Sequence, residues 1–280
     1  MTVAQAVSNI TSRLKAVGIE TASLDAQLIV GNGADMTRVQ ILTYPDRILT
    51  ENQECKINVM ADKRIKRMPM QYILGVCEFM GLNFFVNSDT LIPRGDTEIL
   101  VEEAIDIINK NDYKSAIDIG TGSGAIAVSV GKYTNINISA VDISDGAIDV
   151  AIKNAKNNNV NVNFIKSNLL SNVDDKFDLI LSNPPYIETN VIDTLESDVK
   201  DYEPMLALDG GNDGLDFYRK IVDELNKNLN NNGSVIFEIG YNQGQAVSSL
   251  LSKYNFKDIY VKQDLAGLDR IVVGYCYSAV

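Results

Sequence analysis

Apolar positions recur at helical spacing over roughly the first 68 residues and fall into short strand-like runs after that. Val3, Ala6, Val7, Ile10, Leu14 and Val17 form one stripe, with Thr2 placed to cap the helix and Gly18 to close it. A shorter helix carrying Leu24, Leu28 and Ile29 is expected to end near Gly31 and Gly33. At Thr50 a capping box with Gln53 opens a third helix, with Ile57, Met60, Ala61, Ile65 and Met68 on one face and Pro69 beyond. Val76 to Val86 holds two β-rich runs about Gly81-Leu82-Asn83 and reads as a hairpin. After Leu91-Ile92-Pro93-Arg94-Gly95-Asp96-Thr97-Glu98 a helix should turn Ile99, Leu100, Ala104, Ile105 and Ile108 inward.

Strands and helices then alternate. Strands are expected at 115–119 and 136–141, a helix at Asp145–Asn158, strands at Val160–Lys166 and Phe177–Ser182, and a helix at Leu215–Leu229. A strand at Ser234–Ile239, a helix at Gln243–Lys253 and an antiparallel pair at about 256–263 and 269–277 complete the pattern. This order specifies an α/β fold, a mostly parallel sheet covered by helices on both faces. Ligands in such sheets bind outside the carboxyl ends of the strands, where Gly120, Asp142, Asn168 and Asn183 all fall.

Composition narrows the chemistry. The chain has 280 residues and 45% hydrophobic content, enough for one large domain and a small one. No run of about 18 apolar residues exists and the amino terminus lacks a signal-like pattern, so a soluble, cytoplasmic protein without a membrane partner is expected. There is no histidine, and Cys55, Cys77 and Cys276 are scattered. Histidine-dependent triads are thereby excluded, and neither a metal site nor a disulfide framework is expected. A net charge of −12 argues against generic nucleic-acid binding. The basic run Lys63-Arg64-Ile65-Lys66-Arg67 reads as a solvated helix face.

Two motifs carry candidate chemistry. Asp118-Ile119-Gly120-Thr121-Gly122-Ser123-Gly124 follows a strand and opens a helix, a turn whose backbone can approach a ligand closely. Asp142, at the end of the next strand, is placed to accept from ribose hydroxyls. The G-x-G-x-G spacing suits S-adenosylmethionine enzymes better than nicotinamide ones. The second motif, Asn183-Pro184-Pro185-Tyr186, ends the Phe177-Asp178-Leu179-Ile180-Leu181 strand, because prolines cannot continue it. Such a corner fixes the Asn183 oxygen and the Pro184 carbonyl as acceptors for the two hydrogens of a planar NH2 group, with the Tyr186 ring to pack on it. Amide and aryl amine nitrogens are poor nucleophiles, so holding both hydrogens aims the lone pair. Positioning of this kind contributes about 7–11 kcal/mol to a barrier.

With these residues the chain resembles the bacterial release-factor glutamine methyltransferases, the HemK/PrmC family. The resemblance spans nearly the whole length and also rests on Pro69-Met70-Gln71-Tyr72-Ile73-Leu74-Gly75 and Asp264-Leu265-Ala266-Gly267-Leu268-Asp269-Arg270. It implies a helical domain over 1–75, a β-hairpin linker over 76–92 and a class I methyltransferase domain over 93–280, with a seven-stranded, Rossmann-like sheet whose last strand is antiparallel. It implies transfer of a methyl group from S-adenosyl-L-methionine, leaving S-adenosyl-L-homocysteine, to the side-chain N5 of the glutamine in the Gly-Gly-Gln loop of peptide chain release factors. Asn183, Pro184, Pro185 and Tyr186 would hold that glutamine. Gly120, Thr121, Gly122, Ser123, Gly124, Asp142, Asn168, Leu169 and Asn183 would hold the cofactor. A monomer without direct nucleic-acid contact is expected. Two positions depart from the family pattern: Gly95 stands where a second proline is usual, and Asn168 where aspartate is common. The alternatives are a ribosomal-protein glutamine N5-methyltransferase and a DNA or RNA adenine-N6 methyltransferase, the latter predicting a basic groove that the sequence lacks.

Overall fold

The computed structural model describes residues 1–277, so the expected boundary at 280 lies outside the described residues. The chain divides into two units, Met1–Gly75 with Glu196–Tyr202, and Val76–Leu195 with the chain from Glu203 onward. Among the described residues no helix is long and apolar enough to cross a membrane.

In the first unit, threonines set the helix starts. Thr2, Thr37 and Thr50 each accept from the backbone three residues on, while Gln5, Gln40 and Gln53 reach back to the cap. They open α1 (Val3–Ala16), α3 (Arg38–Thr43) and α4 (Glu51–Ile65), with α2 (Ala22–Ala34) and α5 (Met70–Leu74) completing the set. Neither α3 nor α5 was expected. Both are too short to show a full apolar period, although Thr37-x-x-Gln40 carries the same cap signal as Thr50-x-x-Gln53. Ile10, Leu14, Ile29, Val30 and Ile57 fill the core, whereas Val17 is a C-cap and exposed, as is Leu24. The basic run is a correction. Arg64 is buried, its Nε donating to Asp25 Oδ2 at 2.8 Å and its other nitrogens reaching Asp198 and the Met68 carbonyl. A lone buried guanidinium would be costly; here two carboxylates compensate it.

The second unit begins with a hairpin of β1 (Val76–Phe79) and β2 (Leu82–Phe85). Its turn is Met80-Gly81, both with positive φ, so Leu82 and Asn83 belong to the strand and not to the turn. Next come α6 (Gly95–Asn111), β3 (Ser115–Ile119), α7 (Ala125–Tyr133), β4 (Asn137–Asp142), α8 (Asp145–Asn157), β5 (Asn163–Lys166) and β6 (Phe177–Ser182). The short α9 (Ser197–Lys200) lies in the segment that groups with the first unit. The chain closes with α10 (Asp216–Asn228), β7 (Leu229–Glu238), α11 (Gly244–Lys253), β8 (Lys257–Gln263) and β9 (Asp269–Tyr275).

Seven strands form one sheet in the order β5-β4-β3-β6-β7-β9-β8. The first five are mutually parallel, and β9 runs antiparallel to both neighbours. This is the expected α/β architecture, with its antiparallel last strand. Strand runs such as Leu179-Ile180-Leu181 are apolar at every position because helices cover both faces, giving two separate apolar clusters. Strand order reverses between β3 and β6, and that switch point is where the crevice opens. Two strand starts differ from expectation by more than one residue: β5 begins at Asn163 instead of Val160, and β7 begins at Leu229 and passes an irregularity opposite Phe177–Leu179.

Candidate functional site

A cavity of about 300 Å³ lies over the carboxyl ends of β3, β4 and β6. It is lined by Gly120, Thr121, Gly122 and Ser123, by Asp142, by Asn168 and Leu169, and by Asn183, Pro184 and Pro185. Gly124 and Tyr186 are not among its lining residues.

One wall is the glycine turn. Gly120 and Gly122 have positive φ, and a Cβ at either would meet nothing within 4 Å, so the open side of the turn faces free space. Gly124, in contrast, packs on Ala151 of α8, 3.1 Å from where its Cβ would stand. The turn is fixed mainly by backbone bonds: Gly120 and Thr121 N–H groups both donate to the Val141 carbonyl at 2.9 Å. Gly122 N–H donates to Asp142 Oδ2 at 2.8 Å and Ser144 N–H to Oδ1 at 2.9 Å, which orients that carboxylate while leaving each oxygen a further lone pair. Beneath the turn, Asp118 is fully buried and accepts from the Thr121 hydroxyl at 2.7 Å, while its Oδ1 has no partner. Burial pushes its pKa up to about 7; the Thr121 hydroxyl and Ala127 backbone oppose the rise, and Asp142 adds to it. Asn154, also buried, holds the turn to the hairpin by donating to the Ser123 carbonyl at 2.8 Å and the Phe85 carbonyl at 2.9 Å. Asn168 precedes Leu169, whose φ of 51° is left-handed in a non-glycine residue.

The other wall is the diproline corner. Asn183 Nδ2 donates to the Thr97 hydroxyl of α6 at 3.3 Å, and Ser182 at the strand end donates to the Ile119 carbonyl of β3 at 2.8 Å. The backbone of the corner rests on the Asp209–Gly214 loop: Ile187 N–H donates to the Leu208 carbonyl and Gly210 N–H to the Ile187 carbonyl. A Cβ on Gly210 would lie 2.7 Å from Tyr186 Cα and 2.8 Å from the Pro185 carbonyl oxygen, so only glycine lets the loop approach this closely. Gln243 Nε2 donates to the Tyr186 carbonyl at 3.0 Å. The Tyr186 ring packs into the core, and its hydroxyl donates to Glu238 Oε1 at 3.4 Å. Burial first, then the Glu238 charge, drives the Tyr186 pKa upward, keeping the phenol protonated.

Glu238 was not singled out by the sequence reading. It closes β7 fully buried, with Oε2 unpartnered. Burial raises its pKa to about 7; the Thr97 hydroxyl opposes the rise, as do Tyr186 and Arg270, and Asp96 adds to it. Its sequence signal was an acid inside an apolar run, Val235-Ile236-Phe237-Glu238-Ile239. Arg94 also lines the cavity and is ion-paired to Glu203, which precedes the rim residues Pro204, Leu206 and Ala207.

These residues fit an adenosine-containing cofactor. The glycine turn offers an uncluttered backbone face, Asp142 an oriented carboxylate with spare lone pairs, and Asn168 and Leu169 a further edge of the same cavity.

Residues 5–75 match the family described as PrmC N-terminal domain, and residues 95–200 match the methyltransferase small domain. The release factor glutamine methyltransferase of Clostridium botulinum (strain Hall) is 44% identical over 92% of this chain and 94% of its own length. That of Clostridium acetobutylicum is 39% identical over 98% of both chains. Among solved structures, the catalytic domain of human Mettl16, in complex with an RNA hairpin, aligns with a TM-score of 0.58 at 19% identity. It covers 80% of this chain and 83% of that one, a likeness of fold. The extent and level of identity to the two clostridial proteins place this chain in the release factor glutamine methyltransferase family.

Proposed function

We propose that this protein transfers a methyl group from S-adenosylmethionine to the side-chain N5 of the glutamine in the Gly-Gly-Gln tip of peptide chain release factors, in the cytoplasm. The observation that carries the reading is a single cavity with the glycine turn and Asp142 on one wall and the Asn183-Pro184 corner on the other. When bound, S-adenosylmethionine supplies an activated sulfonium methyl group. Gly120 to Ser123 and Asp142 would hold its nucleoside end, with Asn168 and Leu169 beside them.

The protein's own part is to present an unreactive nitrogen. Asn183 Nδ2 donates to Thr97, and with the amide held this way round Oδ1 is the acceptor for one carboxamide hydrogen. The Pro184 carbonyl accepts the other, and the lone pair of the nitrogen is then directed away from the corner. Tyr186 backs this arrangement from beneath through Glu238. No buried base is required: the carboxamide nitrogen becomes strongly acidic as it acquires the methyl group, and its surplus proton passes to solvent water. The exposed apolar Leu206 at the rim, with Met205 before it in the chain, suits the backbone of an inserted, glycine-rich loop. In the helical unit, Val39, Leu42 and Tyr44 are exposed on and beside α3 and offer an apolar contact for the body of the factor.

Mass spectrometry of a purified release factor after incubation with this protein and labelled cofactor tests the reading. A single labelled methyl on the Gly-Gly-Gln glutamine is expected. Label on a ribosomal protein or on nucleic acid, with the factor unmodified, overturns it.

A further inference from the structure

Asn183 Oδ1 can accept a substrate hydrogen only if the amide is held one way round, and an amide with a single weak bond at 3.3 Å does not hold itself. The element that decides its orientation is the hydroxyl it touches. Thr97 Oγ1 has one hydrogen and two lone pairs. It accepts from Asn183 Nδ2, and its hydroxyl is among the groups that favour the ionised form of Glu238. Thr97 and Glu238 are both buried, and Glu238 Oε2 has no hydrogen-bond partner. We propose that Glu238 is a positioning residue for methyl transfer: as a carboxylate it claims the hydroxyl hydrogens of Thr97 and Tyr186, which leaves Thr97 only lone pairs to offer and so fixes the Asn183 amide with Nδ2 inward and Oδ1 toward the substrate.

A protonated Glu238 reverses the order. Its own hydrogen would go to one of the two hydroxyls, Thr97 would be free to donate, and the Asn183 oxygen would turn inward to receive it. The groups that face Glu238 set where this happens. Tyr186 at the corner and Thr97 on α6 favour the anion, as does Arg270 on β9, although Arg270 is shared with Asp96 at 3.0 Å and Asp264 at 2.8 Å. Asp96 on α6 opposes the anion, and Tyr218 occupies the Glu238 backbone carbonyl at 2.8 Å without touching the carboxyl. With burial dominant, the carboxyl titrates near 7. The wild-type protein therefore loses kcat on the acid side of neutrality, with little change in affinity for either ligand.

This inference rests on the amide-holding reading above, and the test separates the two. Steady-state kinetics on a release factor are measured from pH 5.5 to 9 for wild type, Thr97→Val, Thr97→Ser and Glu238→Gln, with cofactor affinity by calorimetry. Thr97→Val should lower kcat at least tenfold with KM and cofactor affinity within about twofold; Thr97→Ser, which keeps the hydroxyl, should stay within about threefold of wild type. The acid limb of the wild-type kcat profile should be absent in Glu238→Gln, whatever its absolute rate. A Thr97→Val enzyme with wild-type kcat, or an acid limb that persists in Glu238→Gln, overturns the positioning role alone. A wild-type enzyme that leaves the factor unmethylated at every pH removes both readings. Should Thr97→Val fail to fold, Thr97→Ser and the Glu238→Gln profile decide.

Discussion

The two walls of the cavity each stand on a buried carboxyl whose pKa is pushed up to about 7, Asp118 beneath the glycine turn and Glu238 beneath the diproline corner. The surroundings differ. The glycine turn is held mainly by backbone groups bonded to Val141 and Asp142 at the end of the adjacent β4, so Asp118 only braces a structure that is already closed. The corner is held by side chains and glycines brought from α6, the Asp209–Gly214 loop, β7 and Gln243. A cofactor site whose turn is tied by backbone bonds to the neighbouring strand depends on few side chains. A substrate clamp assembled from remote parts depends on many, and its chemistry can be tuned by a group that never touches substrate.

The comparison can be broken first through pH. Asp118 has a folded pKa near 7 against an ordinary 3.8, so its contribution to stability is complete below about pH 4 and is lost as pH rises through 7. The full span is worth about 4 kcal/mol at 1.36 kcal/mol per pH unit. Asp118→Asn should flatten the decline in unfolding free energy between pH 5 and 8, measured by urea titration, while leaving the kcat profile unchanged in shape. A shape change would show that the two carboxyls do not divide their tasks as argued. Next in size is the clamp itself: Asn183→Ala should lose roughly 10²-fold or more in kcat, with cofactor affinity reduced much less, as seen by single-turnover kinetics and calorimetry. Gly210→Ala forces a Cβ against the corner backbone and should cost about 1–3 kcal/mol of stability together with activity, measured by thermal unfolding and turnover. Asp142→Ala should weaken cofactor binding about tenfold, near 1.4 kcal/mol, with kcat at saturation largely kept.

The smallest effect sharpens a point of sequence. Gly95 is the first residue of α6, a position where proline is well accommodated, and its Cβ site is open. Gly95→Pro should raise stability by about 0.4–1 kcal/mol without altering kcat, as measured by thermal unfolding and turnover.

What the sequence made legible follows the same division. The glycine turn, Asp142 at a strand end, the break at Pro184-Pro185 and the threonine caps at Thr2 and Thr50 are local patterns, and each was readable from neighbours in the chain. The sheet followed from alternation. Less legible were features set by distant partners. Tyr186 reads as an aromatic surface for substrate, yet its hydroxyl seeks a carboxylate more than fifty positions away. Gly210 is one of several glycines in a loop until the corner is placed against it. Arg64 reads as one more solvated cation because Asp25 and Asp198 lie far off in sequence. The hairpin turn was placed one residue late at its start because Met80 is an unusual occupant of a left-handed position.

The central claim is that the corner grips a primary carboxamide with its nitrogen facing the methyl donor. A crystal structure of the protein with S-adenosylhomocysteine and a Gly-Gly-Gln peptide measures it directly. The account predicts Asn183 Oδ1 and the Pro184 carbonyl oxygen each within hydrogen-bond distance of the glutamine amide nitrogen, and that nitrogen turned to the sulfur. A glutamine bound elsewhere in the cavity, or an Asn183 whose Nδ2 faces it, would contradict the account.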